Sequence, residues 1–197
     1  RYKEGQREIV WPTTDLYAVQ DASLPRDLIL VLGFEPNHRL RSYTDPLLEL
    51  IRTFNVGLVF TLGAVAAAVP HTRPVQVRGS ANLPDLAERF DLHPSRFEGP
   101  TGIVGVLGAR LRESGLSTAS IWASVPAYVS SAPSPKAALA LVEKISVVLG
   151  VPLPRTDLEI ASEVYEREIS DLVAEDERTA EFVEDLEEDF DARELED

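Results

Sequence analysis

Between Leu28 and Gly150, unbroken apolar runs alternate with stretches whose apolar residues recur every three or four positions. No other feature constrains the fold as much. "DLILVLG" (27–33) and "VGLVFTLG" (56–63) are continuous apolar runs of the kind that suits central strands covered on both faces. "LYAVQ" (16–20) and "VQVRGS" (75–80) alternate, and "ASIWASV" (119–125) completes the set of predicted strands. Between them, "SYTDPLLELIRTF" (42–54) puts Leu47, Leu50, Ile51 and Phe54 at helical spacing, with Thr44 or Asp45 as N-cap and Pro46 in the first turn. "TGIVGVLGARLRESG" (101–115) carries Ile103, Leu107 and Leu111 on one stripe and stops at Gly115. "SPKAALALVEKISVVLG" (134–150) has matched start and stop signals in Ser134–Pro135 and Gly150. That order predicts right-handed βαβ crossovers and a three-layer α/β domain, a mostly parallel sheet with helices on both faces.

The proline-rich "VPLPRT" (151–156) marks the end of this body, predicted over residues 1–154. The extension, residues 155–197, keeps a helical stripe through Leu158, Ala161, Tyr165, Ile169 and Leu172. After a polar break at 175–179 it resumes with Phe182, Val183, Leu186 and Phe190. Two helices, each with one apolar face, are predicted. Charge divides at the same boundary. From Arg155 onward lie 19 of the 33 acids but only 4 of the 19 bases, leaving 14 acids and 15 bases in the body. The acids are expected on the solvated face and the stripe against protein. Tyr165, Ile169, Leu172, Phe182, Val183, Leu186 and Phe190 are the candidate contacts to a neighbouring subunit.

Several function classes are disfavoured. A neutral body with an acidic tail offers no basic patch for nucleic acid and would be repelled by anionic membranes. The longest apolar run, Leu62–Pro70, is far short of a membrane span, and the opening "RYKEGQREIVWP" has no apolar signal region. The absence of cysteine removes disulfides, thiolate metal sites and cysteine nucleophiles, and a cytoplasmic setting is the simplest fit. His38, His71 and His93 have no metal-ligand spacing, so no metal or cofactor is expected. Ser130, Ser131 and Ser134 have no marked base, and no G-x-S-x-G elbow is present. Gly99, Gly102, Gly105 and Gly108 read as a helix-packing series, because no lysine or preceding strand makes them a phosphate loop.

The stretch "PHTRP" (70–74) is the remaining candidate site. His71, Thr72 and Arg73 follow an apolar run, and the carboxyl ends of strands are where open α/β sheets bind ligands. Arg73 could fork onto a carboxylate or phosphate. Glu35, with His38 and Arg39 close behind, would stand at the edge of a neighbouring strand. The competing reading is a rigid connection in which two prolines fix the backbone, His71 bonds a carbonyl and Arg73 pairs with an acid such as Glu35. The structural reading is preferred.

"LGFEPNHR" (32–39), "TLGAVAAAVPHTRPVQV" (61–77), "IWASVPAYVSSAPSPKAALALVEKI" (121–145) and the tail "VYEREISDLVAEDERTAEFVEDLEEDFD" together resemble the proteasome-assembly-chaperone-like family, in its actinobacterial branch. The resemblance implies an α/β/α sandwich with a mixed sheet, similar to nucleoside phosphorylases. It also implies a homo-oligomer, a trimer, with contacts added by the C-terminal helices. Two features depart from the family. No "G-W/F-N-D-A-G"-like turn precedes Trp11–Pro12, which implies that an N-terminal βα unit is lacking. The chain ends Leu195–Glu196–Asp197, whereas archaeal relatives dock on the proteasome α-ring through a terminal hydrophobic–Tyr–any residue tail. The function expected is non-enzymatic: a chaperone-like or scaffolding protein, possible partner another protein, linked to proteasome assembly. The alternative is a nucleoside-like hydrolase or transferase with a pocket near His71 and Arg73.

Overall fold

The computed structural model describes residues 2–3, 6–7, 9–92, 101–129 and 132–195. His93, Gly99, Ser130, Ser131, Glu196 and Asp197 lie outside the described residues. A short antiparallel pair, β1 (Tyr2–Lys3) and β2 (Gln6–Arg7), precedes a hairpin of β3 (Thr14–Val19) and β4 (Leu28–Gly33). Helix α1 (Leu40–Thr53) leads to β5 (Val59–Ala67) and β6 (Val77–Ala81). Then come α2 (Pro84–Arg89), α3 (Ile103–Glu113), β7 (Thr118–Pro126) and a single 3-10 turn at Ala127–Val129. Three helices close the chain: α4 (Pro135–Leu149), α5 (Thr156–Ala174) and α6 (Glu177–Glu194).

The main sheet has the order β5-β7-β6, with β5 parallel and β6 antiparallel to the central β7. Alternation along β7 builds the layers. Ala119 and Ile121 join Phe90 and Leu92 in a core closed by Leu141, Ile145 and Val148 of α4. Ser120, on the opposite face, lies beside Gly108 of α3. A second core of Leu48, Ile51 and Leu111 clamps α1 to α3. Helices therefore cover both faces of this mixed α/β fold, as the strand–helix order predicts. The glycine in "TLGAVAAAV" has a packing reason: Gly63 is in register with Trp122, and a Cβ there would come within 2.5 Å of the indole.

Three local expectations are corrected. The run "LILVLG" is not a central parallel strand; β4 pairs antiparallel with β3, and Leu30, Val31 and Leu32 are exposed. The connection is local: Asp21 Oδ1 accepts from the Ser23 N–H (2.8 Å) and hydroxyl (2.7 Å) in the turn that brings residues 14–19 back against 28–33. Only the β5–β7 pair is parallel among the described strands, so the sheet is mixed rather than mostly parallel. Helix α1 starts at Leu40 with Arg39 in the left-handed region, which places Pro46 inside the helix and not in its first turn. There the buried Thr44 hydroxyl donates to the Arg41 carbonyl (2.8 Å), which Arg110 also reaches (2.8 Å). Helix α4 matches its signals: Ser134 Oγ accepts from the Ala137 N–H (3.2 Å), and Gly150 ends the helix at φ 70°.

Candidate functional site

The PHTRP turn leaves β5 and meets the C-terminal helices. Two prolines hold it rigid, and its three polar residues are taken up by the C-terminal helices, His71 by α5 and Thr72 and Arg73 by α6. His71 is 3% exposed. Its N–H donates to Tyr128 Oη (2.9 Å), its Nδ1 lies 2.8 Å from the same hydroxyl, and its Nε2 lies 2.9 Å from Ser170 Oγ on α5. Ser170 gives its own proton to the Glu166 carbonyl (2.8 Å), so it must accept from Nε2–H. Tyr128, already accepting from the backbone, then donates to Nδ1. One arrangement of protons satisfies every partner, and it is the neutral Nε2–H imidazole. Burial acts the same way: it lowers the His71 pKa, outweighing the opposing charges of Glu166 and Glu187, while Lys136 adds to the lowering. The Tyr128 phenol is pushed up to about 12, chiefly by burial.

Thr72 Oγ1 donates to Glu187 Oε1 on α6. Arg73 forks onto Asp191, Nε to Oδ1 at 2.7 Å and Nη2 to Oδ2 at 2.8 Å, with Glu187 Oε2 3.5 Å from Nη2. The fork holds the Asp191 carboxyl below its ordinary range. Lys136, near the start of α4, donates to the His71 carbonyl (2.5 Å) and to Glu166 Oε2. The turn therefore clasps α4, α5 and α6 together.

Glu35 is not part of this cluster. Its Oε1 accepts from the Ile103 N–H (2.8 Å) at the start of α3, where a carboxylate offsets the positive end of the helix. Arg73 pairs with an acid, as the structural reading expects, but that acid is Asp191 and not Glu35, the example offered. Of the apolar stripe, Tyr165, Ile169, Val183, Leu186 and Phe190 are buried within the chain itself, whereas Leu172 is 59% and Phe182 49% exposed. An apolar face needs only some protein surface to bury against, and the chain itself provides it for those five, through α5 on α4 and α6 on α5.

The space beside His71 and Arg73 measures about 10 Å³, against the roughly 300 Å³ at which ligand sites begin. A larger open groove of about 630 Å³ runs between β5 and α4, lined by Leu62, Gly63, Ala64, Ala66, Ala137 and Leu141 among others, and carries no titratable group. Among the described residues no cluster of His, Asp and Glu could hold a metal ion, and no helix is long and apolar enough to cross a membrane.

Tyr128, Lys136, Glu166, Ser170, Glu187 and Asp191 escape the sequence reading. Those that bond the turn directly lie 57 to 118 positions from it, and Glu166 reaches it through Lys136; acids in a solvated tail carry no local sign of which of them turns inward.

Mixed α/β architecture with helices on both faces of the sheet, and a C-terminal helical pair clasped by a strand-end turn, define the class. Residues 1–173 match the PAC2 family, and the chain belongs to it. The proteasome-assembly chaperone homologue Rv2125 of Mycobacterium tuberculosis is 42% identical, with a TM-score of 0.81 over 93% of this chain and 78% of that one. A PAC2 family protein from Streptomyces avermitilis is 41% identical, with a TM-score of 0.81 over 92% and 77% of the two chains. PbaB of Pyrococcus furiosus, an archaeal proteasome activator, shares the fold at 18% identity (TM-score 0.70, 87% of this chain and 75% of that one). No protein with a curated description matches the chain. The resemblance drawn from the sequence is borne out, down to its actinobacterial branch. Glu187 and Asp191 lie beyond the residues matched to the family.

Proposed function

We propose that this chain is a non-enzymatic, chaperone-like or scaffolding protein that works as a homo-oligomer, a trimer, in proteasome assembly. Its partners are copies of itself and proteasome subunits, in the cytoplasm, without nucleic acid or membrane. The observation that carries the proteasome link is the 42% identity to a protein described as a proteasome-assembly chaperone homologue. The observation that favours binding over catalysis is the occupancy of the PHTRP side chains: both nitrogens of His71, the Thr72 hydroxyl and the Arg73 fork are bonded to the chain's own side chains. A nucleoside-like hydrolase using Glu35, His71, Thr72 and Arg73 has less support, because Glu35 sits at α3 and the space beside the turn holds about 10 Å³. In this reading residues 1–154 are the body and 155–197 the extension. Leu172 and Phe182 meet the neighbouring subunit, while Tyr165, Ile169, Val183, Leu186 and Phe190 shape the helices that present them.

The test is to mix the purified chain with proteasome α- and β-subunits from its own source and follow assembly by native mass spectrometry. A complex with unassembled subunits and a higher yield of complete particles are expected. Unchanged yield with no complex at micromolar concentrations would sink the proteasome link.

A further inference from the structure

The β3–β4 hairpin and the main sheet each have one edge that carries a charge and one that carries none. In the hairpin β3 holds Asp15, whereas β4 has no charged residue and no proline. In the main sheet the edge strand β6 holds Arg78, whereas the opposite edge strand, β5, again has neither. Both bare strands run in unbroken register with their neighbours, without a bulge. Charges, prolines and bulges are what keep exposed strand edges from pairing, so an edge without them is open to a further strand. Among the described strands β4 pairs only with β3, and β5 only with β7.

The two bare edges are also complementary in size. Leu30, Val31 and Leu32 are successive and so point to both faces of the hairpin; with Leu16 and Tyr17 opposite them they are 45–58% exposed. Phe34, just after β4, is 73% exposed. At about 150–250 Å² for a large side chain, these six expose on the order of 700 Å², the apolar share of an interface of about 1,200 Å². The exposed half of β5 is the reverse, with small residues at Ala64 and Ala66 beside the open groove of about 630 Å³ that α4 walls on its far side. Charge permits two copies to meet here. The body that contains both strands holds 14 acids and 15 bases, whereas the acidic extensions repel each other.

We propose that β4 of one copy adds to the bare edge of β5 in a second copy, with its large side chains in the groove between β5 and α4. This contact rests on the homo-oligomer reading and adds to Leu172 and Phe182. Two different surfaces meet in it, so it runs head to tail and closes a ring, the geometry a trimer needs.

The full chain tests it in two ways. In the parent oligomer the outward amides of β4 and β5 are expected to exchange as slowly as those paired to β3 and β7. Exchange at the rate of an open edge overturns the contact and leaves the oligomer reading standing. Val31→Asp and Ala64→Asp, both at exposed positions, are each expected to reduce the mass by light scattering to that of one chain. Mixed together, they are expected to give a two-chain species, because each keeps one intact half of the contact. An unreduced mass in either variant, or a mixture that stays at single-chain mass, overturns the contact. A parent protein of single-chain mass overturns it together with the oligomer reading.

Discussion

His71 holds three hydrogen bonds with one arrangement of protons, and acid attacks that arrangement directly. A second ring proton would face the Tyr128 hydroxyl, which has given its own proton to Nδ1. Because burial lowers the pKa in the folded state, the unfolded chain takes up a proton first, near the ordinary value of about 6.5. The stabilisation from neutral His71 is therefore fully present above that value and is lost as pH falls below it toward the folded-state pKa. Urea midpoints measured from pH 8 to pH 5.5 are expected to fall on the acid side, and His71→Ala should flatten that part of the profile. At pH 8 the same variant should lose about 2–4 kcal/mol, since it leaves Ser170 and Tyr128 without their partner and opens a cavity. An unchanged midpoint and slope would show that the ring does not seat α5.

Elements are joined here by two kinds of contact, and they should respond differently. Arg73 and Thr72 tie α6 to the turn at a partly exposed edge, whereas β5 is held by its backbone register along the largely buried β7. Arg73→Glu places like charges against Glu187 and Asp191. Amide hydrogen exchange is expected to speed up across Glu177–Glu194 and to stay the same in α4. The double variant Arg73→Glu with Asp191→Arg should restore protection; failure to restore it would mean that the fork does not seat α6. In the sheet, Gly63→Ala drives a methyl into Trp122. A loss of about 1–3 kcal/mol is expected from overpacking, together with a changed tryptophan emission. These elements were unequally legible. Helix α4 could be read from Ser134, Pro135 and Gly150 because its caps are local. Strand β4 could be read as a strand, but its antiparallel pairing with β3 could not, because a continuous apolar run does not say which strand will pair with it.

At the scale of the whole molecule, a body close to neutral carries an extension that holds all of the net negative charge, and the extension is seated by its own apolar stripe. Light scattering is expected to give the mass of a homo-oligomer, and Leu172→Asp with Phe182→Asp should reduce it to that of one chain. A parent protein already of single-chain mass would end the oligomer reading; an unreduced mass in the variant would remove these two residues as its contacts.

The α/β class, the two C-terminal helices and the division of charge were legible in the sequence alone, since periodicity, capping residues and composition are local properties that survive in an unfolded chain; the family was legible through the resemblance of whole sequence blocks. The sequence also singled out PHTRP, because two prolines around three polar side chains stand out in any apolar stretch. What the turn does became visible only in the folded chain. Arg73 met Asp191 rather than Glu35, His71 closed on Tyr128 and Ser170, and five of the seven stripe residues turned inward. Pairings across 57 to 118 residues depend on which surfaces the packed body brings within about 3 Å of one another, and no spacing along the chain encodes that.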